Sequence, residues 1–381
     1  MKSLHRLCIS CGGTGGHFYP GLAVAEEWKK QGGEVRLLIG GKHAVKQHKI
    51  ASDAGIEAVI VAAKPLSRNP LGLCKFAWAA WRGMGQCLKV FSQFHPDALL
   101  TMGSYAGFPP YLAARVRKVP LFLHDGNARL GKATLKMSRN AAALALSFPS
   151  PDTEKCRCPA VLTGMPLRPE LLAGKTGKKT AIAEINQRWQ LHFTADRFTV
   201  LVFGGSLGAA GINGQCRIPP DFPPDKIQLI HLTGPGKLEE VKNYYRNAAF
   251  PCLLLEGSPD IHLFYSAADW IVCRAGGSTV SEAAYFGKYA LLIPYPFATQ
   301  DHQTLNAKYL EPAGGVEIVQ EHDLNQKYFL DCLTRMLADP QSYQQKGIRL
   351  CERAFPDASQ RILNLIDRRL TELKTIDKAD D

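Results

Sequence analysis

The chain has 381 residues, 46% of them hydrophobic, which is enough for two domains with separate cores. It has no apolar run long enough to cross a bilayer, and its first residues lead into a strand pattern instead of a signal-peptide core, so we expect neither an integral membrane protein nor a secreted one. The 11 cysteines are accordingly expected to be reduced thiols in the cytoplasm.

The positive charge is concentrated in the first part of the chain. Residues 1–164 contain 22 Lys and Arg against 9 Asp and Glu, whereas the remainder contains 24 against 25, and the whole chain has a net charge of +12. A basic half beside a neutral half indicates a localised anionic partner. An anionic membrane surface and nucleic acid are the two candidates, and nucleic acid is the weaker one because no nucleic-acid-binding motif accompanies the charge.

The first part of the chain alternates strand and helix patterns. An apolar strand at 7–11 leads into a glycine-rich run at 12–16, and a helix follows from about Pro20. Further strands are predicted at 35–39, 58–61, 98–101, 121–124, 142–146 and 160–162. This alternation predicts an α/β fold with a parallel sheet covered by helices on both faces.

An amphipathic helix is predicted at 74–94. Its aromatic residues share one broad face, and basic residues seven positions apart line the edge of that face. Such a helix suits an anionic bilayer, where aromatic and basic side chains lie at the headgroups. The predicted membrane contacts are Lys75, Phe76, Trp78, Trp81 and Arg82. A core helix is the alternative, and it is favoured for Leu88 and Phe91.

The second part of the chain repeats the pattern after a polar connection at 172–197. Its first strand leads into another glycine-rich turn at 204–208. Strands are predicted at 200–203, 229–232, 253–255, 270–273 and 291–294, and helices at 207–215, 261–268, 279–286 and 301–310. A helical pattern resumes at about residue 340. The chain is therefore predicted to contain two Rossmann-like halves.

The two glycine-rich turns are typical of phosphate sites. Glycine lets the backbone approach a phosphate, and the following helix directs its free N–H groups and positive dipole end towards it. Two such turns suggest that two halves face one nucleotide-bearing ligand. A dehydrogenase is disfavoured because the strand at 35–39 is followed by Gly40, Gly41 and Lys42, without the ribose-binding carboxylate. Neither turn has the Gly-Lys-Ser/Thr ending of a P-loop.

Residues 273–282 form the most specific pattern, in which a strand ends, small residues turn and a helix begins. Amides of the first helical turn can hold a phosphate, and Glu282 can accept hydrogen bonds from two ribose hydroxyls. A capped helix with Glu282 near its positive end is the alternative. Gln303 follows the next strand, at the edge where open α/β sheets bind ligands, and its amide can contact a sugar hydroxyl. The adjacent His302 could also face the ligand, but a position at the exposed start of a surface helix is a strong alternative for it.

These features together resemble the MurG family of glycosyltransferases. The resemblance extends from about residue 6 to about residue 360, and it depends on the order and separation of its motifs. The motifs are Gly-Gly-Thr-Gly-Gly-His at 12–17, Gly-Gly-Ser-Leu-Gly-Ala at 204–209, the segment 273–282 and Asp-His-Gln-Thr-Leu-Asn-Ala at 301–307. The resemblance implies a GT-B fold, in which two Rossmann-like domains face a central cleft.

The resemblance also implies the domain roles and the reaction. It implies an acceptor-binding, membrane-associating domain at 1–165, a UDP-sugar-binding domain at 166–349 and a C-terminal helix at about 350–372 that packs on the first domain. The implied reaction is inverting transfer of GlcNAc from UDP-GlcNAc to undecaprenyl-pyrophosphoryl-MurNAc-pentapeptide in peptidoglycan synthesis. The implied partners are these two substrates and the anionic inner leaflet, with the enzyme peripheral on the cytoplasmic face of the membrane. No metal is expected, because no Asp-x-Asp motif is evident and helix dipoles can replace a divalent cation. No other cofactor and no nucleic-acid partner is expected either.

The family's substrate contacts carry over to the glycine turns, the loop after the fifth strand and the segments that follow the later strands. The implied substrate contacts are Thr14, Gly15, Gly16, Asn127, Arg168, Ser206, Ser258, Gly277, Ser278, Thr279, Val280, Ser281, Glu282 and Gln303. Thr14, Gly15 and Gly16 match donor contacts of the N-terminal domain. Asn127 and Gln303 match sugar contacts, and residues 277–282 match the diphosphate–ribose segment. Arg168 and Ser206 match contacts on the phosphate side, and the backbone of Ser258 matches a uracil contact. The chain departs from the family's His-Glu-Gln-Asn pattern at Asp125 and Gly126, and it lacks a glycine-rich pattern at 64–73.

Inverting transfer needs a base that takes a proton from the attacking hydroxyl. His17, at the mouth of the first glycine turn, is the predicted base because the unperturbed pKa of histidine is about 6.5. A role in orienting phosphate or capping the helix is an equal alternative, and Asp125 is the second candidate base. Three other functions remain open: another GT-B lipid glycosyltransferase, a UDP-GlcNAc epimerase, and a non-catalytic nucleotide-sugar-binding protein recruited to the membrane.

Overall fold

The structure, a computed structural model, describes residues 3–67, 69–205 and 207–377. These residues form two compact units. The first unit extends to Pro169 and takes in the chain again from Phe355, and the second comprises Glu170–Ala354. Ser206, one of the predicted phosphate contacts, lies outside the described residues.

The first unit is built on a seven-stranded sheet in which every pair is parallel. Its strands are β1 (Arg6–Gly12), β2 (Glu34–Gly40), β3 (Glu57–Val61), β4 (Ala98–Thr101), β5 (Leu121–Asp125), β6 (Ala143–Leu146) and β7 (Ala160–Leu162). They lie in the order β3-β2-β1-β4-β5-β6-β7. The direction of winding reverses between β1 and β4, which is the point where ligands bind in open α/β sheets.

Helices cover both faces of this sheet. They are α1 (Gly15–Lys30), α2 (Ala44–Asp53), α3 (Pro70–Phe94), α4 (Phe108–Arg117) and α5 (Lys132–Met137). Alternate residues of β1 enter different cores, because successive side chains of a strand point to opposite faces. Ile9 packs in the core that contains residues of α1 and α2, whereas Cys8 packs in the core that contains residues of α3, α4 and α5.

The second unit contains a six-stranded parallel sheet. Its strands are β8 (Phe198–Phe203), β9 (Ile227–Leu232), β10 (Cys252–Leu255), β11 (Trp270–Cys273), β12 (Tyr289–Leu292) and β13 (Val316–Ile318), in the order β10-β9-β8-β11-β12-β13. The helices are α6 (Pro169–Ala173), α7 (Lys178–Trp189), α8 (Ala210–Gln215), α9 (Leu238–Tyr244), α10 (Ile261–Ala267), α11 (Gly277–Phe286), α12 (His302–Lys308), α13 (Gln326–Ala338) and α14 (Pro340–Arg349). Trp270 stacks on Phe329 in the core of this unit, with ring centroids 5.2 Å apart.

The last helix, α15 (Ala358–Asp377), belongs to the first unit. Its buried residues Ile362 and Ile366 lie in the same core as α1. The Asp367 carboxylate accepts hydrogen bonds from the backbone N–H groups of Ser3 (2.7 Å) and Leu4 (2.9 Å). The end of the described chain is thereby attached to its beginning.

The predicted fold class, two Rossmann-like α/β domains, is confirmed. Several elements differ from the sequence-based expectation. Helix α1 begins at Gly15 and not near Pro20, and α9 and α13 lie outside the predicted helices. The stretch 172–197, predicted as a connection, contains α7, whose buried face consists only of Ala181, Ile182 and Ile185. Strand β13 was not predicted, because it has three residues and all of them are half-exposed. Within the described residues, no helix combines the length and apolar character needed to cross a bilayer.

Candidate functional site

The first glycine turn is pressed against the end of the neighbouring strand. β1 ends at Gly12, whose φ of 122° is in the region that favours glycine. A Cβ atom at this position would lie 2.4 Å from the carbonyl oxygen of Gly40, at the end of β2. No side chain fits here, so the backbone turns directly into α1, which begins at Gly15 with Thr14 as its N-cap residue.

His17 lies in the first turn of α1, half-buried at the carboxyl edge of the sheet. Its Nδ1 is 3.0 Å from the Thr14 hydroxyl, which gives the imidazole a defined orientation. The ring also lies against Gly103, in the loop after β4, where a Cβ atom would be 3.5 Å from His17 Cδ2. The structure therefore places the imidazole between the loops after β1 and β4, at the switch point of the sheet.

His124 is a second histidine near this position, but it is buried in β5. Its Nε2 is 2.9 Å from the Ser147 hydroxyl. Burial lowers the pKa of the His124 imidazole to about 3, which a backbone hydrogen bond at Gly164 opposes and the charge of His17 reinforces. His124 is therefore neutral at physiological pH.

Asp125 ends β5 and organises the loop that follows it. Its buried carboxylate accepts hydrogen bonds from the Asn127 N–H (3.2 Å), the Gly131 N–H (2.9 Å) and the Thr134 hydroxyl (2.7 Å). A general base needs access to the attacking hydroxyl, whereas this carboxylate is 5% exposed and directed at its own loop. The geometry is thus unfavourable for the predicted role as a second candidate base and indicates that Asp125 positions Asn127.

Arg168 and Gly126 border the same edge of the first unit. The Arg168 guanidinium lies 5.0 Å from the centroid of the Tyr19 ring in α1. That ring is also 3.5 Å from where a Cβ atom on Gly15 would lie, so Arg168 is close to the start of α1. A Cβ atom on Gly126 would lie 3.0 Å from the Met165 Cε and 4.0 Å from the Gly16 carbonyl oxygen. The loop after β5 therefore lies close to the glycine turn.

The predicted membrane helix corresponds to α3. Trp78 and Trp81 are 57% and 68% exposed, and the Arg82 guanidinium lies 5.3 Å from the Trp78 ring centroid. Lys75 is also exposed. Phe76 is different, because it is half-buried and packs on Phe108 of α4 with ring centroids 5.5 Å apart. Sequence reasoning missed further exposed apolar residues at and before the start of this helix, namely Leu66, Leu71 and Leu73.

The second glycine turn follows β8 in the second unit. Gly208 has a φ of 66°, and a Cβ atom there would lie 2.2 Å from the carbonyl oxygen of Thr233, just after β9. This close approach requires glycine, as it does in the first turn. The helix that follows, α8, has only six residues.

The segment 273–282 has the predicted strand–turn–helix form. β11 ends at Cys273, and α11 begins at Gly277 after an extended Gly276. Glu282 accepts a hydrogen bond at Oε2 from the Tyr265 hydroxyl at 2.9 Å. Ser278, Thr279 and Ser281 are half-buried. Gly277 and Val280 are buried, so Val280 offers a ligand its backbone and not its side chain.

Gln303 and Ser258 are held by contacts to their own loops. Gln303 Oε1 accepts a hydrogen bond from the Tyr295 N–H at 3.0 Å, which fixes the amide. The Ser258 hydroxyl accepts from the Asp260 N–H at 3.0 Å, just before α10. Asn306, in the same motif as Gln303, donates to the Ala275 carbonyl oxygen at 3.1 Å and connects α12 to the loop before α11.

The predicted contacts share one feature within each unit. All strands of each sheet are parallel, so their carboxyl ends share one edge. In the first unit the contacts follow β1, β5 and β7, and in the second they follow β10, β11 and β12. Within the described residues, no group of three or more His, Cys, Asp or Glu side chains is arranged to hold a metal ion.

Known proteins resemble both parts of the chain. Residues 7–146 match the glycosyltransferase family 28 N-terminal domain, and residues 199–362 match the glycosyltransferase family 28 C-terminal domain. A curated protein of Thermodesulfovibrio yellowstonii is 30% identical over 95% of this chain and 98% of its own length. Its name is UDP-N-acetylglucosamine--N-acetylmuramyl-(pentapeptide) pyrophosphoryl-undecaprenol N-acetylglucosamine transferase.

Two further proteins extend this similarity. The protein of the same name from Geobacter sulfurreducens is 32% identical over 94% of this chain and 97% of its own. The crystal structure of Acinetobacter baumannii MurG is 26% identical, with a TM-score of 0.73 over 96% of this chain and 99% of that one. Both the sequence and the fold of this chain are therefore similar to those of these proteins over nearly the whole chain.

Proposed function

The chain belongs to the MurG family of glycosyltransferases, and from this premise we propose that it transfers GlcNAc from UDP-GlcNAc to undecaprenyl-pyrophosphoryl-MurNAc-pentapeptide. The product is the lipid-linked disaccharide unit of peptidoglycan, so the activity would serve cell-wall biogenesis and, through it, cell shape and division. The observation that carries the proposal is that relatives with this transferase name match 94–95% of the chain.

The second unit is the proposed donor site. Backbone N–H groups at Gly277, Ser278 and Thr279, at the start of α11, are suited to the UDP diphosphate. Glu282, oriented by the Tyr265 hydroxyl, is the proposed ribose contact. The Gln303 amide is the proposed contact to a sugar hydroxyl, with Ser281 and the backbones of Val280 and Ser258 completing the site.

The first unit is the proposed site of the acceptor and of the base. His17 takes the proton of the attacking hydroxyl, whose oxygen forms a bond to the anomeric carbon. The bond from that carbon to the β-phosphate oxygen breaks at the same time, and UDP leaves with the electron pair. The defined orientation of the imidazole on Thr14 supports this role, because a base must lie within hydrogen-bond reach of its proton. Thr14, Gly15, Gly16 and Asn127 border the same edge, and Arg168 is the proposed contact to the leaving phosphates.

Helix α3 is the proposed membrane contact, on the cytoplasmic face of the membrane. Exposed Trp78 and Trp81 on one surface with Lys75 and Arg82 combine apolar insertion with attraction to anionic headgroups. The exposed leucines at and before the start of α3 extend the apolar surface. The protein would therefore bind peripherally, where its lipid-linked acceptor is.

Transfer of radiolabelled GlcNAc from UDP-GlcNAc to the lipid-linked MurNAc-pentapeptide tests the proposed reaction. We expect a labelled lipid product that forms without an added divalent cation, with UDP-GalNAc a poor competitor. Formation of an epimerised UDP-sugar without acceptor would assign the site to an epimerase instead. Binding of UDP-GlcNAc with no turnover on this acceptor would contradict the proposal and favour a non-catalytic protein or a different lipid acceptor.

Sedimentation with anionic liposomes tests the membrane contact. We expect the double variant Trp78→Glu/Trp81→Glu to lose liposome binding while retaining its fold and its affinity for UDP. Val45→Glu is the matched control, because Val45 is an exposed apolar residue of α2, a helix that packs in the core on the other face of the same sheet. Unchanged binding by the double variant would refute the assignment of this surface.

A further inference from the structure

Arg274, the first residue after β11, is a buried cation in the proposed donor segment. Its Nη1 donates to the carbonyl oxygens of Ile293 (3.3 Å) and Pro294 (3.2 Å), and its Nη2 lies 2.6 Å from Glu321 Oε2. Its guanidinium also lies 5.5 Å from the centroid of the Tyr295 ring. Burying a charge is costly unless it is paired and hydrogen-bonded. All these partners lie on loops at the carboxyl edge of the second sheet, so the cation is used to connect loops.

Glu321 extends this connection to the second glycine turn. It lies in the loop after β13, and a Cβ atom on Gly211 would be 2.0 Å from its Oε1. Gly211 belongs to α8, the short helix that follows the second glycine turn. A side chain larger than hydrogen at position 211 would displace the Glu321 carboxylate and so disturb its pairing with Arg274.

On its other side, Arg274 supports the loop that carries Gln303. Tyr295 lies next to the two carbonyls that Arg274 holds, and its N–H donates to Gln303 Oε1 at 3.0 Å. Between these residues the backbone passes through Gln300 and Asp301, with φ values of 55° and 52°. Two successive non-glycine residues in this region are strained, so the loop keeps its shape only if its surroundings hold it.

We propose that Arg274 is a positioning residue for recognition of the donor sugar. By holding the backbone at 293–295, it fixes the N–H that orients the Gln303 amide towards a sugar hydroxyl, and by pairing with Glu321 it keeps that loop in register with the second glycine turn. Arg274 itself does not contact the donor. The inference rests on the proposed function, since it specifies how the donor sugar is selected at that site.

Discrimination between UDP-GlcNAc and UDP-GalNAc, which differ in the configuration of one sugar hydroxyl, is the readout. The ratio of kcat/KM values for the two donors is measured in the wild type, Arg274→Lys, Gln303→Ala and the double variant. Lysine keeps the charge but cannot hold two carbonyls and a carboxylate with one planar group. We expect Arg274→Lys to lower the ratio about five- to tenfold, the effect of one misplaced hydrogen bond, while the affinity for UDP alone stays the same.

The double variant separates positioning from general structural support. If Arg274 acts through Gln303, Arg274→Lys lowers the ratio no further once Gln303 is alanine. Glu321→Gln, which weakens the pair while keeping its shape, should lower the ratio in the same direction. Arg335→Lys is the matched control, because Arg335 pairs with Glu317 of β13 in the same unit, 3.0 Å apart, and we expect it to leave the ratio unchanged.

Two results would overturn the proposal: a wild-type ratio in Arg274→Lys, or an equal loss from Arg274→Lys with and without Gln303. Calorimetric binding of UDP-GlcNAc and UDP-GalNAc to the same four proteins gives the corresponding affinity ratio without an acceptor. A wild type that binds and discriminates the donors but transfers no sugar would therefore contradict the proposed function and still decide the role of Arg274.

Discussion

The two glycine turns share the same close backbone packing but lie in different surroundings. Each is reached from a buried parallel strand. At Gly12 and Gly208 a Cβ atom would collide with a carbonyl oxygen at, or just after, the end of the neighbouring strand. The first turn, however, leads into a helix of 16 residues with His17 in its first turn, whereas the second leads into a helix of six residues and contains no titratable side chain. The same local geometry thus occurs in two settings, and only the first of the two turns leads directly into a histidine.

The charge of the two parts follows the same division. The Lys and Arg excess lies within residues 1–164, and the exposed tryptophans of α3 lie in the same unit. In the second unit, charged groups such as Arg274 and Glu282 are tied to neighbouring loops and side chains. We infer that the membrane and acceptor contacts are concentrated in the first unit, and that most donor contacts, Arg168 excepted, lie in the second. Substitutions that affect one substrate and spare the other test this division.

The largest expected effect is that of His17→Ala. Loss of a general base lowers turnover about 10²- to 10⁴-fold. The affinity for UDP should stay within about twofold, because His17 is proposed to act on the acceptor hydroxyl and is not among the proposed diphosphate contacts. Transfer assays and calorimetry with UDP on the same preparation measure the two quantities. His17→Gln is the companion variant, since it keeps a polar group near Thr14 without the imidazole. Near-normal turnover in either variant would remove His17 from the mechanism.

Glu282→Gln should produce the converse pattern. Hydrogen bonds to a charged group contribute about 1.5–3 kcal/mol, so UDP affinity should fall about 10- to 100-fold while liposome binding stays unchanged. Tyr265→Phe removes only the hydroxyl that orients the carboxylate, so it should weaken the free energy of UDP binding by about 1 kcal/mol. Calorimetry with UDP and with inorganic pyrophosphate measures whether the loss of affinity depends on the nucleoside. An unchanged UDP affinity in Glu282→Gln would show that the carboxylate only supports α11.

Asp125→Asn should change stability more than chemistry. The carboxylate accepts from the Asn127 and Gly131 N–H groups and from the Thr134 hydroxyl, so an amide must direct its own N–H₂ at a donor. The expected loss of stability is about 1–3 kcal/mol, measured by urea unfolding. Turnover should fall as Asn127 becomes less well placed, with the pH profile of kcat/KM unchanged in shape. Loss of the acidic limb of the profile, where a general base becomes deprotonated, would instead support Asp125 as the base.

The fold was accessible from the sequence because its strands are strongly marked. Buried runs such as 200–203 and 270–273 are apolar throughout and are followed by glycine or small residues, which is the pattern of a parallel sheet with both faces covered. Helix α7 was not predicted because its buried stripe is narrow and its other positions are polar. Short, half-exposed β13 has no such pattern and is defined by pairing with β12.

The sequence predicts the candidate site only in part, because it marks where the backbone turns but not where side chains point. Glycines in sequence mark where the backbone must approach something closely, so both turns could be found. The direction of a side chain is decided by partners distant in sequence, as for Asp125, which faces Gly131 and Thr134, and Phe76, which packs on Phe108. Arg274 gave no signal because a single arginine in a motif does not reveal that its partners are carbonyls about 20 residues away.

The smallest expected effect concerns two buried histidines, one in each unit, which allow the acid stability of the two units to be compared. Burial is the main cause that lowers the pKa of His124 in the first sheet and of His231 in the second to about 3. The neighbouring His17 and Arg217 contribute in the same direction, and a backbone hydrogen bond at Gly164 partly opposes the shift of His124. Below the unfolded pKa of about 6.5, the unfolded chain binds a proton that the native state does not, so stability is present above pH 6.5 and is lost as the pH falls towards 3.

Each histidine should contribute about 1.4 kcal/mol per pH unit to this acid loss. Urea unfolding between pH 4 and pH 7, compared for the wild type and His231→Gln, measures the difference in slope, whatever the variant's stability at pH 7. If the two units unfold in separate transitions, the substitution should flatten only the transition of the second unit, and His124→Gln only that of the first. A wild-type slope in His231→Gln would mean that His231 is already protonated in the native state, in which case burial in β9 does not exclude the charge.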